Sequence, residues 1–313
     1  MFFWFTDSVM DVAVLLLLWR RPELLGKVIS PLREANVARI YVAVDGPNEK
    51  TGVREDVEEV KLKVLALIDW NCEVRARYAD RNMGCKTGVS DAIDWFFKNE
   101  EKGIIIEDDV IVDVSFIRFA HSLLNRYEHE ERIGSISACS YNTQLASPEA
   151  YDFTCFVHVW GWATWRRVWE LYSSDLSRID LDSLKKGLAR QNGLMGSGFK
   201  EFWMKKFYEM KNDKIDTWDY QLQLLFLERG LLSCTPKAPL SSNVGFGSKA
   251  SHTKSISLDQ KVHVSSLGDL SSDLPFPSIK QNTARDKATF RSNFSPSIGK
   301  KVTNKLKALL RYG

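Results

Sequence analysis

Cysteine is sparse in this chain. Cys72, Cys85, Cys139, Cys155 and Cys234 are scattered, odd in number and without any Cys-x-x-Cys spacing, which points away from both a zinc site and a disulfide framework. A reducing compartment, the cytoplasm, is the expectation. A large charge of either sign is also missing: 43 basic against 40 acidic residues leave a net charge of +3, so no nucleic-acid partner is expected. Long apolar runs are missing as well. Met1 to Phe5 and Val12 to Trp19 are apolar, but Asp7 and Asp11 interrupt them, no basic segment precedes them, and each is far shorter than the ~20 residues of a membrane span. Neither is expected to act as a signal peptide or an anchor. Repeats and low-complexity blocks are absent, and 313 residues suffice for a large α/β domain with a substantial core.

What is present is a strong alternation of strand and helix patterns. Val12 to Trp19 reads as a central parallel strand, ended by Arg20-Arg21-Pro22. Leu24, Leu25, Val28, Ile29 and Leu32 then recur at helical spacing. Ala38 to Val44 reads as a second strand closing on Asp45-Gly46. A charged helix over Val53–Trp70, a strand over Glu73–Tyr78, the loop Asp80 to Gly84 and a helix over Gly88–Asn99 follow. Such alternation implies a mostly parallel sheet flanked by helices, with ligands held beyond the carboxyl ends of its strands.

The most informative segment is Ile104 to Val112, where Glu107, Asp108 and Asp109 break an otherwise buried strand pattern. Ionised carboxylates there are costly unless something positive binds them. Mg²⁺ or Mn²⁺ carrying a nucleotide diphosphate would meet that need, because such ions are held by one or two carboxylates together with phosphate oxygens. Taken alone, the triplet reads more readily as a strand end followed by a solvated turn. Asp45, Arg81 and the acidic triplet all fall at expected carboxyl ends, so three strand ends converge on one crevice.

The chain holds ten tryptophans, six of them in its second half. Trp160-Gly161-Trp162 and Trp165 offer an aromatic wall on which the apolar face of a sugar could stack, while buried tryptophans more often serve the core. Arg166 and Arg167 read equally as phosphate ligands or as helix surface. Asp219, in Thr217-Trp218-Asp219-Tyr220, sits at the start of a helix over Leu222–Arg229 and has an ordinary capping explanation. The segment Ser241 to Thr253 carries Gly245 and Gly247, suited to closing over a nucleotide sugar with backbone amides toward phosphate, and His252 as a candidate ligand of the metal or the diphosphate.

Together, Leu15 to Pro22, Val44-Asp45-Gly46, Asp80 to Lys86, the helix from Ser90 to Phe97 and Ile106 to Asp109 resemble bacterial glycosyltransferases of the hemolytic-protein-like group. These are in turn similar to N-acetylglucosaminyltransferase I of protein N-glycosylation. The resemblance runs from about Val12 to about His252. It implies an α/β fold of the glycosyltransferase-A type and a metal-dependent, inverting transfer from a uridine diphosphate sugar to a glycan or lipid-linked acceptor in surface polysaccharide synthesis.

By the same resemblance Asp109 holds the metal, with His252 as a second candidate. Asp108 faces the ribose or a water, Glu107 the donor sugar and Asp45 the uracil, with Arg81 and Lys86 beside base or phosphates. Trp160 and Trp162 shape the sugar pocket, and Asp219 is the general base, with Asp216 as its nearby competitor. Trp19-Arg20-Arg21 departs from the small polar residue that many relatives carry before Arg-Pro. Two rivals stand: a sugar nucleotidyltransferase, which would need a glycine-rich basic loop after the first strand, and a noncatalytic carbohydrate-binding protein, which would dispense with the acids.

Residues 1–253 are expected to form the catalytic domain and 254–297 a linker or wrapped arm, poor in apolar residues. A basic amphipathic helix is expected over 298–313, placing Ile298, Val302, Leu306, Leu309 and Leu310 on one face. That helix could lie on the inner face of the cytoplasmic membrane or dock on its own domain.

Overall fold

The computed structural model describes residues 9–48, 53–196, 198–245 and 276–294. The chain runs β1 (Met10–Leu18), α1 (Leu25–Glu34), β2 (Val37–Val44), α2 (Arg54–Leu67), β3 (Glu73–Tyr78), α3 (Gly84–Asn99), β4 (Lys102–Glu107), β5 (Val110–Val112) and α4 (Val114–Arg126). It continues with β6 (Ile133–Ser137), β7 (Tyr151–Thr154), β8 (Trp162–Trp165), α5 (Arg166–Trp169), α6 (Leu181–Met195), α7 (Phe199–Lys211), α8 (Asp219–Arg229), β9 (Leu232–Pro236), β10 (Ser241–Asn243) and α9 (Thr283–Thr289).

Eight strands form one sheet in the order β3-β2-β1-β4-β8-β6-β9-β7. Strands β1, β2, β3 and β4 run parallel, β8 runs against β4 and β6, and β7 runs against β9. The fold is therefore α/β with a mostly parallel sheet flanked by helices. Strand β1 sits between β2 and β4 and is buried from Val12 to Leu18 without alternation, as a strand covered on both faces must be. Strand β3 is the sheet edge and is largely exposed.

The register fixes where function can reside. Leu17 pairs with Glu107, Leu18 with Val44, and Val44 with Tyr78, so four carboxyl ends finish level along one edge. The Ile104–Val112 run is two strands rather than one: β4 ends at Glu107, Asp108 and Asp109 turn, and β5 leaves to pair antiparallel with β10. That second ribbon carries Asn243 and Gly245 back over the acids.

One core cluster surrounds the sheet, and a second fills the space between α6, α7 and α8. Phe290 and Phe294 join the second cluster from the far end of the described chain. The segment 276–294 lies on the domain: Gln281 bridges to Phe153, and Arg285 and Asp286 of α9 are fully buried. The stretch of that arm from 254 to 275 and the helix expected over 298–313 lie outside the described residues. Among the described residues no helix is long and apolar enough to cross a membrane.

Candidate functional site

The acids of the β4 end are held by a residue that the sequence reading treated only as a strand terminator. Arg21, just past β1, pairs through Nη1 with Asp108 Oδ1 and through Nη2 with Asp109 Oδ2 at 3.1 Å. The Trp19 backbone N–H donates to Asp108 Oδ2 at 3.0 Å, and the Trp19 indole N–H donates to the Gly46 carbonyl at 3.0 Å. The β1 exit is thus tied to both the β4 and β2 exits. Asp108 is fully engaged by its own chain and only 5% exposed, which corrects the expectation that it faces ribose or a water.

Asp109 is the more open of the two, with its side chain 16% exposed. Asn243 Nδ2 donates to Asp109 Oδ1 at 3.2 Å, and Asn243 Oδ1 accepts the Gly245 N–H at 2.8 Å. Gly245 approaches so closely that a Cβ there would stand 2.0 Å from Asp109 Oδ2, so no other residue fits without a shift. Asn243 is a site residue that the sequence reading missed, since nothing in Ser241-Ser242-Asn243 distinguishes it from a loop.

Asp45 closes β2 and caps the start of α3. Its Oδ1 accepts the N–H groups of Gly46 at 2.8 Å and Met83 at 2.9 Å, and Oδ2 accepts from Asn82 Nδ2 at 2.9 Å. This anchorage starts α3 at Gly84, four residues earlier than the periodicity suggests, and turns Cys85 and Lys86 from loop into first-turn positions. Arg81 lies exposed at the same edge.

Asp219 opens α8 across the crevice. Thr217 Oγ1 and the Tyr220 N–H both donate to its Oδ1, the latter at 2.9 Å, fixing the carboxylate's orientation. It lies within electrostatic reach of Glu107 and of the Cys85 thiol. Its competitor Asp216 is exposed and closer to Gly84, whose added Cβ would meet Asp216 Oδ2 at 3.8 Å. Behind Asp219, Trp218 is buried and stacks on Trp162 with ring centroids 5.7 Å apart.

That stacking corrects the aromatic wall. Trp162 is 1% exposed and Trp165 2%, and both are core. Trp165 spends its indole N–H on the Leu124 carbonyl at 3.0 Å, while Trp162 supports the segment that carries Asp219. Both lie on β8, between β4 and β6, where side chains are covered on each face. Trp160 stays half-buried, 6.4 Å from the Tyr141 ring. Gly161 adopts φ +76°, and a Cβ there would meet Val112 Cγ1 at 2.8 Å. Neither following arginine reaches the crevice: Arg166 pairs with Glu101, and Arg167 binds the carbonyls of Tyr127, Glu128, Glu130 and Ile133 beyond α4.

Three successive carboxylates lie around the Arg21 guanidinium, which pairs with two of them. Burial, and then Asp109, Asp108 and Asp219, push the Glu107 carboxyl well above its ordinary range. Burial raises Asp109 and Asp108 too, with Arg21 working in the opposite direction. The Cys85 thiol is pushed up to about 12 by burial and by Glu107, Asp219, Asp216 and Asp109. Among the described residues no three His, Cys, Asp or Glu side chains converge as a ready-made metal cage. The donor set does fit a hard divalent cation that takes one carboxylate and completes its shell with phosphate oxygens and water, with Asp109 as the holding residue. Gly247 and His252 lie outside the described residues.

No family model matches the chain, and no curated protein matches it. Among solved structures, mouse xyloside xylosyltransferase 1 is similar at 12% identity, over 72% of this chain and 84% of that one, with a TM-score of 0.37. A UDP-glucose pyrophosphorylase complexed with UDP-glucose is similar at 9% identity over 72% and 91%, also at 0.37. HddC from Yersinia pseudotuberculosis is similar at 12% identity over 51% and 79%, at 0.32. Overlaps this distant assign neither a family nor an activity to the chain.

Proposed function

We propose that this chain is a metal-dependent, inverting glycosyltransferase of the glycosyltransferase-A type. Its donor is a nucleotide diphosphate sugar, most simply a uridine diphosphate sugar, and its acceptor a glycan or lipid-linked glycan of a surface polysaccharide. One observation carries the reading: a half-buried aspartate fixed at a helix start, Asp219, faces an over-charged acidic strand end, Glu107 to Asp109, across the carboxyl edge of the sheet.

In the proposed reaction the Asp219 carboxylate takes the proton of the acceptor hydroxyl as its oxygen bonds to the anomeric carbon. The bond from that carbon to the diphosphate breaks on the opposite face. Thr217 and Tyr220 keep Asp219 in one orientation, which limits the reorganisation needed at the moment of transfer. Glu107, at the end of β4 two residues before Asp109, faces the donor sugar in this reading. Arg21, paired with Asp108 and Asp109, brings positive charge beside the acids. When bound at Asp109, a divalent cation supplies further positive charge to the departing diphosphate.

A sugar nucleotidyltransferase would need a glycine-rich basic loop after β1. Here Trp19-Arg20-Arg21-Pro22 stands in that place, with Arg21 locked onto the acids. The test is a reaction of purified protein with a panel of uridine diphosphate sugars and glycan acceptors, with Mn²⁺ present. Release of uridine diphosphate with a new glycosidic product supports the reading; consumption of nucleoside triphosphate and sugar 1-phosphate with release of pyrophosphate would replace it.

A further inference from the structure

Around Trp218 the protein leaves polar atoms unsatisfied. Among the described residues the buried side-chain atoms without a hydrogen-bond partner include Trp162 Nε1, the Tyr172 hydroxyl and both amide atoms of Gln221. All belong to one neighbourhood. Trp162 stacks on Trp218, Trp169 meets Trp218 at 6.5 Å, Tyr172 stacks on Trp169 at 4.3 Å with the planes 13° apart, and Gln221 follows Trp218 by about one helical turn. Buried polar groups are nearly always paired, and leaving one unpaired is costly. A group of them beside the candidate base therefore calls for an explanation.

Tyr172 is the member with a charged neighbour at the candidate base: its phenol lies within electrostatic reach of Asp219. Trp162 and Gln221 are 1% and 2% exposed, whereas Tyr172 is half-buried with its hydroxyl oxygen covered. Its ring is held from behind: Trp169 donates its indole N–H to Asp94 Oδ1 at 2.7 Å, which fastens the pair to α3. The phenol lies within electrostatic reach of Asp219, Asp94 and the Cys85 thiol. Burial, together with those groups, pushes its pKa upward, so at neutral pH it is an O–H donor.

We propose that the Tyr172 hydroxyl is a specificity-determining hydrogen-bond donor to an oxygen substituent of the donor sugar. This deepens the glycosyltransferase reading and rests on it. The chemistry is that of a positioned donor whose partner is supplied by the ligand; a sugar lacking the matching oxygen would leave it unpaired again.

The test compares wild type and Tyr172→Phe by calorimetric titration with uridine diphosphate and with several uridine diphosphate sugars in Mn²⁺, alongside thermal unfolding. The substitution removes no protein hydrogen bond, so the expected result is an unchanged unfolding temperature and unchanged affinity for uridine diphosphate. Affinity for the preferred nucleotide sugar should fall by roughly tenfold. Equal affinity of both proteins for that nucleotide sugar overturns the inference and leaves the glycosyltransferase reading standing. A lower unfolding temperature with equal losses for nucleotide and nucleotide sugar also overturns it, assigning the hydroxyl to structure. Wild type that binds uridine diphosphate but gains nothing from any attached sugar overturns both.

Discussion

Arg285, buried, and Arg21, half-buried, each meet aspartates, and their surroundings are opposite. Arg285 is 1% exposed and has a partner in every direction: Asp152 Oδ2 at 2.9 Å, the Ser140 hydroxyl, and the carbonyls of Tyr141 at 3.0 Å and Pro236 at 2.9 Å. It staples the arm segment to the far end of the sheet. Arg21, by contrast, serves two aspartates and lies beside a third acid whose ionisation the cluster suppresses. The Arg285 guanidinium is closed and fully hydrogen-bonded, although Asp286 beside it keeps one unpaired oxygen, whereas the Arg21 cluster stays more open. Structural ion pairs satisfy their partners, whereas a site awaiting a ligand retains unspent charge.

The contrast can be broken at several points. Asp219→Asn should leave donor binding intact while lowering transfer by roughly 10²–10⁴-fold, the range of a lost general base; steady-state rates beside calorimetric donor affinity check this. At the saturated pair, Arg285→Met should cost about 3–5 kcal/mol of stability in chemical denaturation, because Asp152 is left buried and uncompensated.

Asp286 supplies a pH signature for the same arm. Burial raises its carboxyl to about 6, partly offset by the Cys155 N–H and Gln281. The folded state therefore keeps a proton that the unfolded chain releases near pH 4. The stability this contributes is complete below about pH 4 and is lost as pH rises through about 6, at most about 3 kcal/mol in all. Asp286→Asn should flatten that part of the stability profile; an unchanged slope would remove Asp286 as its source. The smallest effect belongs to the open site. Asp109→Asn should raise stability by roughly 1 kcal/mol, since it relieves repulsion with Glu107 and Asp108, while abolishing metal-dependent donor binding.

Much of the architecture was legible because hydrophobic pattern and turn residues agree along the first hundred residues. β3 matches its expected span, Glu73–Tyr78, and β1, β2 and the carboxyl-end position of the acids follow from buried runs ending in polar residues. The start of α3 was misjudged because its cap comes from Asp45, nearly forty residues away in sequence. Trp162 and Trp165 were misjudged because sequence marks an aromatic residue without telling which face of a strand is covered. Arg21 and Asn243 were missed for a related reason: their partners lie 87 and 134 residues distant, a pairing that no local spacing announces. The arm near Arg285 reads as a linker or wrapped arm poor in apolar residues, and its charge is buried because Asp152, Ser140 and Pro236 receive it.

The most direct test of the central claim is thermal unfolding with a panel of nucleotide sugars, with and without Mn²⁺. The expected result is a Mn²⁺-dependent stabilisation by one uridine diphosphate sugar, about 2.7 kcal/mol at a hundred times its dissociation constant, which is lost in Asp109→Asn. A shift of equal size in Asp109→Asn, or none with any nucleotide sugar in the wild type, would contradict the assignment of the acidic strand end to donor binding.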